Sequence, residues 1–203
     1  MNYLAHLFLS GKNDGIIVGN ILEDFISGHI EHPKNAYIPE DIKLGLKMHR
    51  MIDTFTDSHA VLKESKVLFY PINGKYASIV MDVLYDHFLQ KNWKDYTSEN
   101  FDNFRERIYE SIRYREDIQP ENMKKLVRSM IEHDWLKNYI EIWGLEKAFH
   151  NLNKRINKPE VDLIKSLSIF EKNYDFLDLN FKEFFPELLN TSRTFLKENH
   201  LNG

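Results

Sequence analysis

The chain has 203 residues, of which 42% are hydrophobic, 13% aromatic and 29% charged, the size and composition of one soluble globular domain and too apolar for disorder. Its 27 basic and 31 acidic side chains give a formal net charge of -4, which removes bulk attraction for nucleic acid or an anionic membrane, so an anionic partner requires a local basic patch. The absence of cysteine removes disulfides, thiolate nucleophiles and cysteine zinc sites together, and any metal must sit on His, Asp or Glu.

Apolar spacings of three and four predict helices over 2–10, 15–29, 39–59, 60–70, 74–93, 98–117, 120–153, 159–174 and 180–199, with no alternating strand. The expected fold is therefore all-α: a single domain over 1–203 in which several helices enclose one buried central helix. The opening MNYLAHLFLSGKNDG lacks a basic n-region and carries His6 in its apolar run, so it reads as mature protein. No uncharged apolar stretch approaches a bilayer span, and the cytoplasm is the expected location. Tyr139 and Trp143 fit a core or an interface equally well, which leaves the oligomeric state open.

Taken in chain order, several apolar segments carry polar groups where burial makes charge expensive. His6 stands inside Leu4-Ala5-His6-Leu7-Phe8-Leu9. Asn20 and Asp24 are spaced i, i+4 among Ile16, Ile17, Val18, Ile21 and Leu22; Asp24 can ligate a metal, activate water or form a salt bridge to a neighbouring helix. In the 39–59 helix, Leu44, Met48, Met51, Ile52 and Phe55 form one apolar stripe. A second line runs Ile42, Leu46, His49, Asp53 and Asp57, and Lys43, Lys47, Arg50 and Thr54 fill a narrow solvent face. In the 74–93 helix, Asp82 and Asp86 share a face, with His87 about 100° around.

A buried carboxylate costs several kcal/mol unless it is paired or metal-bound, so these groups need a cation. The set His49, Asp53, Asp82, Asp86 and His87, with His6 and Asp57 as further candidates, offers the oxygen and nitrogen ligands that suit Mn²⁺, Mg²⁺ or Fe²⁺. Each group also has a bland explanation, such as a satisfied core histidine, a capped carbonyl or an exposed aspartate near a helix end. His133-Asp134 is read as part of a solvated face.

Four motifs in register, MNYLAHLFLS, GNILEDFISG, GLKMHRMIDTFTD and MDVLYDHFL, resemble the acyl carrier protein phosphodiesterase family, a divergent relative of the HD-type metal-dependent phosphohydrolases. The resemblance implies an HD-like helical fold and a phosphoric diester hydrolase linked to fatty acid biosynthesis. Its substrate is implied to be holo-acyl carrier protein, its product 4'-phosphopantetheine, and its usual metal Mn²⁺. Matched positions are Asp24, His49, Asp53, Asp82, Asp86 and His87, with His6 and Asp57 beside them. The dipeptide Asp86-His87 inverts the usual HD order, so ligands cannot be assigned by that pattern.

On this reading Asp24 orients or deprotonates the attacking water, and Arg50 neutralises charge growing on the phosphodiester oxygens. The acidic carrier would dock on Lys43 and Lys47, beside the metal line. No nucleic acid or membrane partner is expected. Rival readings are a phosphohydrolase of the same architecture acting on a nucleotide or other phosphodiester, and a non-enzymatic helical binding protein. A di-iron bundle is disfavoured because no Glu-x-x-His occurs.

Overall fold

The computed structural model describes residues 1–200, and every regular element among them is helical. The first half contains α1 (Tyr3–Leu9), α2 (Asp14–Leu22), α3 (Glu40–Ser58), α4 (Ala60–Val67), α5 (Tyr70–Asn73) and α6 (Ala77–Lys91). The second half contains α7 (Trp93–Tyr96), α8 (Phe101–Tyr114), α9 (Glu121–Glu132), α10 (Trp135–Asn138), α11 (Ile142–Ile156), α12 (Ser166–Lys172) and α13 (Tyr174–Glu198).

The tightest pair is α2 against α3, and glycine makes it so. A Cβ at Gly19 would lie 2.1 Å from the carbonyl oxygen of Ile42, and one at Gly45 would lie 2.5 Å from that of Ile16. The two backbones therefore touch directly, with Gly15 to Leu22 buried throughout. Without a side chain between them, a carbonyl of α2 comes within reach of a side chain on α3.

α6 is the enclosed helix. Val80, Met81, Val83, Leu84, Tyr85, Phe88 and Leu89 point in several directions and all are buried, as the near-continuous apolar sequence predicts. It packs on α1, α4, α11 and α13. The long α13 carries Phe181, Phe184, Phe185 and Leu188 into the same core.

Several boundaries depart from the sequence reading. The 15–29 helix ends at Leu22, passes through a 3-10 turn at Glu23–Phe25 and gives way to a connection before α3. The expected 120–153 helix is broken into α9, α10 and α11, the first break falling at Asp134, which takes a left-handed φ of 48°. Its carboxylate is held there by the Arg105 guanidinium and by the Tyr109 hydroxyl at 3.0 Å. α13 starts at Tyr174 rather than at 180 and runs through Pro186, where the apolar contacts on both sides of the proline outweigh one lost backbone hydrogen bond. No helix among the described residues is long and apolar enough to cross a membrane.

Candidate active site

α1, α2 and α3 converge on a cleft of about 510 Å³, whose wall includes His6, Asn20, Asp24, His49, Asp53 and Asp82. At its floor the His6 and His49 rings stack, centroids 4.2 Å apart and 17° from parallel. His6 Nε2 lies 3.1 Å from one Asp53 oxygen and His49 Nε2 lies 3.1 Å from the other.

Asn20 determines which imidazole nitrogens face the cleft. Its side-chain NH₂ donates to Ser10 Oγ at 2.9 Å and to the His6 carbonyl at 3.2 Å, so its Oδ1 is left to accept from His6 Nδ1 at 2.7 Å. Its backbone carbonyl, which can only accept, lies 2.7 Å from His49 Nδ1. Both Nδ1 atoms therefore carry a proton, and both Nε2 atoms face Asp53, with a lone pair wherever the imidazole is neutral. An ionised carboxylate has no proton to return. With both imidazoles neutral, lone pair would face lone pair at these distances, so the three groups need positive charge among them, either a second proton on an imidazole or a bound cation.

A proton and a metal ion compete for this place. Burial pushes Asp53 up, but the hydrogen bonds from His49 and His6 outweigh it and hold this carboxyl well below the usual aspartate range. Burial lowers the His6 pKa. For His49 burial acts the same way, but the Asp53 hydrogen bond and charge prevail and its pKa is raised. One ligand atom each from His6, His49 and Asp53 lies within 4.8 Å of the others, and so do Glu23, Asp24 and His49. These donors fit a divalent metal: two imidazole nitrogens with their outer protons anchored, and a carboxylate held ionised.

The other sequence-predicted residues divide. Asp24 and Asp82 line the cleft, with the Met1 amino group 3.0 Å from Asp82. Asp57 stands at the cleft edge, 71% exposed and paired with Lys66 at 2.9 Å. Two residues lie elsewhere and are corrected. Asp86, fully buried, accepts from the backbone N–H of Leu4 at 2.8 Å and of Ala5 at 3.0 Å; it caps the start of α1, whose own Asn2 side chain makes no capping bond. His87 is turned from the cleft, its Nδ1 donating to the Tyr139 carbonyl and its Nε2 accepting from the Tyr174 hydroxyl, each at 2.9 Å. At about 100° per residue Asp86 lies about 40° around from Asp82, one turn further along where the α1 amides reach it, and His87 lies about 140° around, toward Tyr139 and Tyr174.

The basic strip is likewise changed. Lys43 is buried rather than solvent-facing, with its ammonium 2.6 Å from Glu40 and 3.5 Å from Glu31. Lys47 lies 3.2 Å from Glu31, and Arg50 donates to Glu23 at 2.7 Å and to the Gly28 carbonyl at 3.0 Å. Each of these cations already has an acidic partner, and none of the three lines the cleft. Sequence reading missed Glu23, Tyr3 and Arg155. Glu23 Oε2 lies 3.8 Å from His49 Nε2, while Arg50 holds its other oxygen. Arg155 comes from α11, far along the chain, and no local pattern marks it.

The acyl carrier protein phosphodiesterase family profile matches residues 1–188, nearly the whole chain. This chain belongs to the acyl carrier protein phosphodiesterase family. It is 32% identical over 197 residues to the acyl carrier protein phosphodiesterase of Enterobacter sp. (strain 638), covering 93% of this chain and 96% of that one. The protein of the same name from Klebsiella pneumoniae (strain 342) is 31% identical with the same coverage, and that of Escherichia coli O6:H1 is 28% identical over 195 residues, covering 93% and 96%. No solved structure matches the chain. Family membership makes it a phosphoric diester hydrolase.

Proposed function

We propose that this chain hydrolyses the phosphodiester joining 4'-phosphopantetheine to a serine of holo-acyl carrier protein, using a divalent metal held by His6, His49 and Asp53. The observation that carries the metal reading is the pair of Nε2 atoms that both face Asp53, each ring held by Asn20 at its Nδ1. The substrate follows from the name shared by the relatives. A metal bound there supplies a water of lowered pKa and a Lewis acid for a phosphoryl oxygen, with Mn²⁺ the expected ion and Mg²⁺ or Fe²⁺ compatible with the same donors.

The protein's own groups do the rest. Asp24 stands at the cleft within reach of the His49 group and takes the proton of the attacking water. Arg50 acts at one remove: its guanidinium fixes Glu23, which faces His49. The carrier serine leaves as the alkoxide and recovers a proton from solvent at the open side of the cleft.

Mass spectrometry of holo-carrier protein incubated with this protein and Mn²⁺ tests the reading. The expected result is loss of the prosthetic group's mass in the presence of the metal and none in a chelator. Asp24→Ala should remain folded and lose turnover; activity retained in that variant would remove Asp24 from its role.

A further inference from the structure

The cleft does not end at the metal-binding candidates. Asn2, Tyr3, Leu152 and Arg155 line it and also line a second, smaller cavity of about 180 Å³ between α1, α9, α10 and α11. The walls of that cavity are mostly apolar, from Leu126, Trp135, Tyr139 and Ala148, with Asn138, Lys147 and Asn151 as the polar lining. It owes its existence to the break at Asp134, which turns α10 and α11 back over the start of α1.

Arg155 stands where the two spaces meet. It is the one lysine or arginine among the residues lining the cleft, it is exposed, and its guanidinium forms no ion pair with an acidic side chain among the described residues. Tyr3 lines both spaces with it, and the charges of Asp24 and Arg155 pull on its hydroxyl in opposite directions. The cation that the sequence offered for the phosphodiester, Arg50, is committed to Glu23.

We propose that Arg155 takes a phosphate oxygen at this junction and that the cavity behind it receives the pantetheine arm, leaving the carrier protein at the open side of the cleft. This rests on the hydrolysis proposed above and adds the orientation of the substrate. A phosphodiester has two ester limbs. With the phosphorus near the His6, His49 and Asp53 cluster, one limb must lead outward to a folded protein and the other to a flexible chain. A pocket of about 180 Å³ has no room for a folded protein, so the flexible chain is the limb it can take. The chemistry of the pocket suits that chain: apolar and aromatic surface for the dimethyl and methylene groups, and asparagine amides for its two amide bonds.

The test measures binding of 4'-phosphopantetheine and of pantetheine to metal-free protein by quenching of Trp135 fluorescence, with Trp135→Phe identifying the signal, alongside KM and kcat on holo-carrier protein with Mn²⁺. Ala148→Phe fills the cavity, and Asn151→Trp does so from an exposed rim position should the first variant fold poorly. Either is expected to weaken binding of both compounds roughly tenfold or more and to raise KM in proportion. Arg155→Ala is expected to weaken 4'-phosphopantetheine while leaving pantetheine within about twofold. If wild-type protein releases the prosthetic group but the filled variants bind and turn over like wild type, the cavity assignment is overturned and the hydrolysis stands. If wild-type protein with Mn²⁺ leaves holo-carrier protein intact, the proposed function itself fails.

Discussion

The backbone carbonyl of Asn20 lies 2.7 Å from Nδ1 of His49. That contact crosses the seam where Gly19 and Gly45 bring α2 and α3 together, so the orientation of a cleft-facing imidazole is a product of helix packing. The same residue's side chain sets His6 from the other direction. One asparagine thus couples the closest helix pair in the fold to both histidines of the cleft.

Gly19→Ala should disrupt both at once. The new Cβ would fall 2.1 Å from the Ile42 carbonyl oxygen, and a backbone atom cannot swing aside as a side chain does. The cost should reach or exceed the ~3 kcal/mol upper end of ordinary overpacking. For a chain of this length that corresponds to a Tm lower by roughly 6–12 °C. Thermal denaturation reads it, with Mn²⁺ titration as the companion measurement; an unchanged Tm with unchanged metal affinity would show that the seam has slack.

Asn20→Leu separates the two histidines. The His49 bond comes from the backbone and survives, whereas His6 loses the acceptor that fixes its Nδ1 proton, and Ser10 loses a donor. Metal affinity by calorimetry is expected to fall about 10- to 100-fold, the usual consequence of freeing a ligand's outer hydrogen bond. Stability should fall by about 1–3 kcal/mol from the buried groups left unpaired. Affinity equal to wild type would mean that His6 is not a ligand.

The sequence was most informative where a polar residue interrupts an apolar segment. His6, His49 and Asp53 stand out that way, and all three meet at the cleft floor. The same signal misled at Asp86 and His87, because a helix start without its own cap and a buried carbonyl also demand polar partners, and periodicity does not distinguish a cap from a ligand. Helical character was legible throughout, but the break at Asp134 was not: it depends on Arg105 and Tyr109 of α8, residues with no sequence proximity to it. Arg155 became visible only once that break had folded α11 over the cleft.

A paired comparison distinguishes ligands from structural groups. Asp53→Asn removes the carboxylate that both Nε2 atoms face, and Mn²⁺ affinity should drop at least 100-fold, the upper end of what even an outer-shell change costs. His87→Gln loses its contacts to Tyr139 and Tyr174 and should cost about 1–3 kcal/mol of stability while leaving affinity within about twofold. The same affinity loss in both variants would return His87 to the metal site.

Asp86 carries a pH signature of its own. Burial pushes its carboxyl up from the ordinary 3.8 to about 7, against the opposing pull of the Leu4 and Ala5 amide hydrogen bonds. Between those two values the folded chain holds a proton that the unfolded chain has released, so stability falls as pH rises. The contribution is complete below about 3.8 and gone above about 7. The shift of 7 − 3.8 = 3.2 pH units corresponds to something on the order of 4 kcal/mol. Asp86→Asn is neutral at every pH and keeps one carbonyl oxygen for the α1 amides. The stability of wild type minus that of Asp86→Asn, from urea unfolding between pH 4 and pH 8, should therefore decline with pH up to about 7 and level off above it, while contributions of His49 and Asp53 cancel in the difference. A flat difference would mean that the two amides keep Asp86 ionised across the whole window, and the cap would then owe nothing to a bound proton.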